Sequence, residues 1–245
     1  MIYEYNFRVD DLCVDRFGRL KLSCVLFAAQ EAAARHSALL GAGQTDLEEK
    51  NLFWAVTRHR VQICKLPQLG QTIRVQTWPM PTTKTAYPRA VVALDEEGEE
   101  LFRVISLWVL MDKERRALVL PGKSGVQVEG AVRGGELAVP HSLIPRVFSR
   151  CAERTVTYSC LDRNGHMNNT RYLDWVEDLL SSDFHRAHPA REITLCYASE
   201  ALEGERVQLA WELSETGILQ VDGHRVQTSE AGKQTRVFAA EVVYR

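Results

Sequence analysis

The chain has 245 residues, 45% of them hydrophobic and 25% charged, with a formal net charge of −2 and a pI near 6.4. The length exceeds the roughly 100–150 residues of a common single domain, and the apolar content can fill two modest cores. The near-neutral balance excludes a global pull toward nucleic acid or anionic membrane. Apolar runs such as Leu107-Trp108-Val109-Leu110-Met111 fall far short of the ~18 residues that suggest a membrane span. Residues 1–8 lack the charged-then-apolar pattern of a signal segment, so a cytoplasmic protein is expected. The six cysteines form no Cys-x-x-Cys pair and the seven histidines no His-Glu-x-x-His pattern. Reduced thiols, no metal and no cofactor are therefore expected.

In chain order, Tyr3, Tyr5, Phe7 and Val9 alternate with polar residues, the period-two pattern of a strand with one wet face. An alanine-rich stretch over 22–40 predicts a helix ending near Gly41. Strands follow at 73–77, 91–93 and 102–111, with a turn at Asp95-Glu96-Glu97-Gly98. Glycines and prolines over 120–145 suggest a connector. Val156, Tyr158 and Cys160 then repeat the opening alternation. A second helix is predicted from 170 to about 184, where Tyr172, Leu173, Val176, Leu179 and Leu180 form one apolar stripe, and Asn168 or Asn169 can cap its start. The last strands are expected at 193–198, 207–213, 219–221 and 236–244, with a turn at Asp222-Gly223. Strands following one another without intervening helices favour antiparallel pairing and an α+β class. The expected division is 1–115, a connector over 116–148, and 149–245.

The two halves look related. Cys13-Val14-Asp15-Arg16-Phe17-Gly18-Arg19-Leu20 aligns with Cys160-Leu161-Asp162-Arg163-Asn164-Gly165-His166-Met167 at a constant spacing of 147 positions. Leu69-Gly70 through Val75 resembles Glu203-Gly204 through Val207 at a spacing of 134, as does Glu97-Gly98 with Ala231-Gly232. The first copy therefore carries extra residues between its helix and its next strand. A period this long points to a duplicated domain, since solenoid repeats run about 20–50 residues. Phe17 and Arg19 stand where Asn164 and His166 stand, so a single active site belongs to the second copy.

The segment from Asp162 to Asn169 sets a carboxylate, amides and an imidazole at the mouth of a helix, whose N–H groups attract negative charge. An acyl-transfer oxyanion is suited to that position.

Asp162-x-Asn164-x-His166-x-Asn168-Asn169, with Tyr172 and Trp175, resembles the motif of the double-hotdog acyl-ACP thioesterases of plants and bacteria. Three further segments carry the likeness: Tyr197-Ala198-Ser199-Glu200-Ala201, Lys50-Asn51-Leu52-Phe53-Trp54-Ala55-Val56-Thr57-Arg58, and the stretch from Gly70 to Trp78. The resemblance implies a tandem double hotdog, each half an antiparallel sheet wrapped around one long central helix. It also implies hydrolysis of fatty acyl-ACP, which releases free fatty acid and terminates chain elongation in fatty acid biosynthesis. Acyl carrier protein is then the partner, with no nucleic acid, and the protein is a monomer or homodimer. Ala201 stands where many members have cysteine, which excludes a Cys-His nucleophile at that position.

Without that thiol, water attacks the carbonyl directly, which needs a base, oxyanion donors and a dry pocket. Glu200 is the first candidate base, its proton affinity raised by burial near Leu195 and Tyr197. Asp162 is the rival base, the group that orients His166, or a brace for its turn. Asn164 would bind the water or the carbonyl, His166 would position the thioester or protonate the leaving thiolate, and N–H groups near Asn168 would receive the oxyanion. The resemblance assigns the acyl tail to the first half, with Leu22, Val25, Leu26, Phe27 and Trp54 as candidate lining. An acidic carrier needs a cationic rim, for which Arg58 with Arg60, and Arg146 with Arg150 and Arg154, are candidates. Rival functions are an acyl-CoA thioesterase, a hydratase or dehydratase of acyl thioesters, and a non-catalytic acyl-thioester sensor.

Overall fold

The alternation at the start of the chain forms strand β1 (Tyr3–Arg8), with Phe7 buried and Glu4, Asn6 and Arg8 in water. In this computed structural model, which describes residues 1–226 and 235–245, the chain divides into two compact units, Met1–Pro140 and His141–Arg245. The expected likeness of Ala231-Gly232 to Glu97-Gly98 lies outside the described residues.

In the first unit β1 is followed by helices α1 (Leu22–Leu39) and α2 (Gln44–Glu48) and by strands β2 (Leu52–Ile63), β3 (Thr72–Pro79), β4 (Tyr87–Leu94), β5 (Glu100–Asp112) and β6 (Leu118–Val119). The sheet runs β1-β3-β4-β5-β2, every pair antiparallel, and β6 adds a short pairing to β5. One face of α1 is swallowed: Val25, Leu26, Ala28 and Ala32 are fully buried, and the alanines let the helix approach the sheet closely. Burying a side chain the size of Val25 or Leu26 contributes about 1.5–3 kcal/mol.

The second unit contains β7 (Arg150–Thr155), α3 (Arg171–Glu177), α4 (Ser182–Ala187), β8 (Ala190–Tyr197), β9 (Arg206–Leu213), β10 (Ile218–Arg225) and β11 (Arg236–Tyr244). Its strands run β7-β9-β10-β11-β8, again antiparallel. Strand for strand this repeats the order of the first unit. Its core holds Leu173, Leu195, Leu209, Leu219 and Phe238. Among the described residues no helix is long and apolar enough to cross a membrane.

Two local expectations are corrected, and one strand was not expected. The second unit has no single helix over 170 to about 184: α3 ends at Glu177, and Ser181 starts α4 by accepting the Phe184 N–H on its Oγ at 3.2 Å. A serine at that position offers the backbone a new N-cap, and Leu179 and Leu180 are only half-buried, so little packing holds the helix continuous. The strand expected at Val156, Tyr158 and Cys160 ends earlier, at Thr155, because Tyr158–Cys160 turns into a short 3₁₀ helix. Strand β2 carries a bulge between Val56 and Arg58. Its buried residues are Leu52 and Val56 before that point and His59, Val61 and Ile63 after it, so the period-two pattern changes phase midway.

Candidate active site

The motif turn is built by Asp162. Its Oδ1 accepts the N–H groups of Asn164 at 2.8 Å and His166 at 3.2 Å, while its own N–H donates to the His166 carbonyl at 2.8 Å. Gly165 sits at φ +77, the left-handed conformation that the turn demands and that glycine adopts without a Cβ clash. Asp15 does the same work in the first unit, accepting from Phe17 N at 2.8 Å and Arg19 N at 2.9 Å, with Gly18 at φ +74. Asp162 thus braces its turn as Asp15 braces the first.

What differs between the two turns is the side chain at the end. In the first unit Arg19 folds back, its Nε and Nη2 each 2.9 Å from Asp15 Oδ2, and lies 4.8 Å from the centre of the Phe17 ring. In the second unit His166 instead reaches Glu200, with Nε2 and Oε2 3.4 Å apart. The backbone fixes this approach. His166 bridges Leu202, Met167 N donates to Ala201 O at 2.8 Å, and the Tyr197 hydroxyl donates to Asn169 O at 2.7 Å. Burial pushes the Tyr172 and Tyr197 phenols above their usual range, so both stand as hydroxyls. Tyr197 was visible in the sequence only as part of a strand; its hydroxyl ties the motif to β8, a role that no periodicity signals.

Two expectations change here. Glu200 is not buried: its side chain is 45% exposed against 20% for His166, because it lies past the end of β8, outside any strand or helix. Its pairing with His166 is what places this carboxylate. The Asn168 N–H is not an oxyanion donor, since it donates to Cys160 O at 2.8 Å. Asn168 Oδ1 accepts from both the N–H and the hydroxyl of Thr170, at 3.0 and 2.9 Å. That fixes the amide orientation and leaves its Nδ2 as the donor on the opposite side. Asn164 is exposed on the same turn. Ala201 is fully buried and presents only a methyl group.

The candidate lining residues divide. Leu22, Val25 and Leu26 are buried in the α1 interface, and Trp54 donates its Nε1–H to Ala42 O at 2.9 Å while meeting Tyr87 edge-on. Phe27 is 46% exposed, so the structure does not group it with those residues. Four of the five candidate rim arginines are engaged locally. Arg58 donates to Pro140 O and Arg146 to Gln220; Arg150 lies over Trp211 and Arg154 donates to Glu153 O.

Residues 1–120 match the acyl-ACP thioesterase N-terminal domain, and residues 148–241 match the acyl-ACP thioesterase C-terminal domain. The chain belongs to the acyl-ACP thioesterase family. Among curated members it is 27% identical over 215 residues to a palmitoyl-acyl carrier protein thioesterase of Gossypium hirsutum, covering 82% of this chain and 52% of that protein. It is 26% identical over 204 residues to an oleoyl-acyl carrier protein thioesterase of Arabidopsis thaliana, covering 73% of this chain and 54% of that one. The chain thus spans about half the length of the curated thioesterases it matches. Its fold superposes on a crystal structure of an acyl-ACP thioesterase from Bacteroides thetaiotaomicron with a TM-score of 0.87 at 23% identity, covering 100% of this chain and 98% of that one. On the 12:0-ACP thioesterase of Umbellularia californica the TM-score is 0.81 at 22% identity, with 100% and 97% covered. The fold of this thioesterase-family chain is the tandem double hotdog.

Proposed function

We propose that the chain hydrolyses the thioester of fatty acyl groups carried on acyl carrier protein, releasing free fatty acid and ending chain elongation. The observation that carries this reading is the His166–Glu200 pair at 3.4 Å, on a turn whose twin has closed the same space with Arg19 and Asp15. Family membership supports the substrate class. In this reading Glu200 takes a proton from water as the water oxygen bonds to the thioester carbon. The amide donors of Asn164 and Asn168 stabilise the oxyanion. Collapse of the tetrahedral intermediate breaks the C–S bond, and His166 gives the departing thiolate its proton. The products are a carboxylic acid and a free carrier thiol. General acid–base groups contribute about 10²–10⁴-fold and an oxyanion donor about 10²–10³-fold. The second unit, the C-terminal hotdog, is assigned the chemistry, and the apolar interior of the first is assigned the acyl tail.

The test is thiol release from acyl-carrier-protein and acyl-CoA thioesters over a panel of chain lengths. Release from the carrier-protein series with weaker release from CoA is expected. Release from CoA alone would overturn the carrier assignment, and tight binding without release would overturn the hydrolytic one.

A further inference from the structure

The turn that follows Glu200, Leu202 to Glu205, is held by an ion pair that the equivalent turn of the first unit does without. Glu205 Oε2 accepts the Leu202 N–H at 3.0 Å and lies 3.0 Å from Arg225 Nε. The far end of the same guanidinium, Nη2, donates to the Glu200 carbonyl at 2.6 Å. Immediately after it, the Ala201 carbonyl receives the Met167 N–H at 2.8 Å, so consecutive carbonyls leading into this turn are pinned, one by Arg225 and one by the motif loop.

The first unit supplies the comparison. Gln71 stands 134 positions before Glu205 and closes the equivalent turn with an uncharged bond, Gln68 N to Gln71 Oε1 at 2.7 Å. Gln68 bridges Arg19 there as Leu202 bridges His166 here. The turn therefore closes without a carboxylate. What Glu205 adds is a counter-charge that orients Arg225 toward Glu200, and it is found on the copy that keeps the histidine and the acid. The bond from Arg225 Nη2 to the Glu200 carbonyl has an ionised donor, and such bonds are roughly twice as strong as neutral ones.

We propose that Arg225, oriented by Glu205, is a positioning residue that holds Glu200 against His166. The inference rests on the His166–Glu200 pair being the reaction centre. An exposed glutamate has many rotamers, and anchoring its backbone restricts the volume its carboxylate samples. Misplacement of a reacting group by about 1 Å costs up to about 10²-fold in rate.

Steady-state kinetics on palmitoyl-carrier-protein with Arg225→Ala, Arg225→Lys, Glu205→Gln and Glu200→Gln test it. Arg225→Ala is expected to lower kcat by about 10–100-fold with KM changed less than about twofold, and Arg225→Lys to recover part of the loss. Glu205→Gln keeps an acceptor for the Leu202 N–H, as Gln71 does for Gln68, yet lowers kcat in the same direction; combining it with Arg225→Ala adds little. Wild-type kcat in Arg225→Ala, with Glu200→Gln inactive, overturns the positioning role and leaves the reaction centre standing. Wild-type turnover in Glu200→Gln instead removes the reaction centre itself. Should Arg225→Ala fail to fold, Glu205→Gln decides alone, and an unchanged kcat there overturns the proposal.

Discussion

Asp15 and Asp162 hold turns of the same pattern, Oδ1 of each taking two backbone N–H groups, and that shared duty favours the reading in which Asp162 is a brace and Glu200 the base. Asp162→Asn keeps an oxygen for both N–H groups and is expected to cost less than about tenfold in kcat, against at least about 100-fold for Glu200→Gln. The reverse order in thiol-release assays would make Asp162 the base. The sequence singled out His166 and Asn164 because Arg19 and Phe17 stand in their places in the first copy, and the structure brings His166 to Glu200. The exposure of Glu200 was not legible, since it depends on where β8 stops. Away from the site, burial holds the His59 imidazole down to about 3, with Nδ1 2.9 Å from Ser106 Oγ. The unfolded chain takes that proton near the ordinary ~6.5, so as pH falls the unfolded state binds it first. The contribution is complete above about pH 6.5 and is lost progressively toward pH 3, at up to roughly 1.4 kcal/mol per pH unit. Urea unfolding of His59→Gln should show a loss between pH 7 and 4.5 smaller than wild type by about 2 kcal/mol; identical losses would show that this histidine does not titrate with folding.

Among the strands and helices, the sequence was readable where one pattern ran unbroken and unreadable where it changed partway. Helix α1 was visible from its alanine-rich run, and β3, β4, β5 and β8 through β11 from alternation and turn residues. Strand β2 was hidden by the bulge after Val56, which turns odd positions inward where even ones had been. The break between α3 and α4 was hidden because the stripe through Leu179 and Leu180 looks helical, while the competing Ser181 cap is a local bond that periodicity does not register. The turn expected at Asp222-Gly223 is absent: both residues lie inside β10, opposite Ala239 and Phe238 of β11, and the glycine serves packing there. A Cβ on Gly223 would stand 2.3 Å from Phe238 Cε1, on a ring that also packs against Tyr172 at 4.7 Å. Gly223→Ala should therefore destabilise the protein by about 1–3 kcal/mol through overpacking. An unchanged urea midpoint would mean that Phe238 moves aside freely.

Across the whole chain, the duplication is the feature that sequence and structure share most fully. The spacing of 147 carries the bridge Val14 with Leu20 onto Leu161 with Met167, and the spacing of 134 carries Gln68 onto Leu202. One ancestral turn thus persists twice, closed by an arginine in one unit and opened to an acid by a histidine in the other. The claim that chemistry resides in the second turn alone is tested most directly by single-turnover thiol release from acyl-carrier-protein with His166→Ala and with its first-unit counterpart Arg19→Ala. His166→Ala is expected to lose at least about 100-fold, and Arg19→Ala to stay within about threefold of wild type. Comparable rates for the two variants would contradict it.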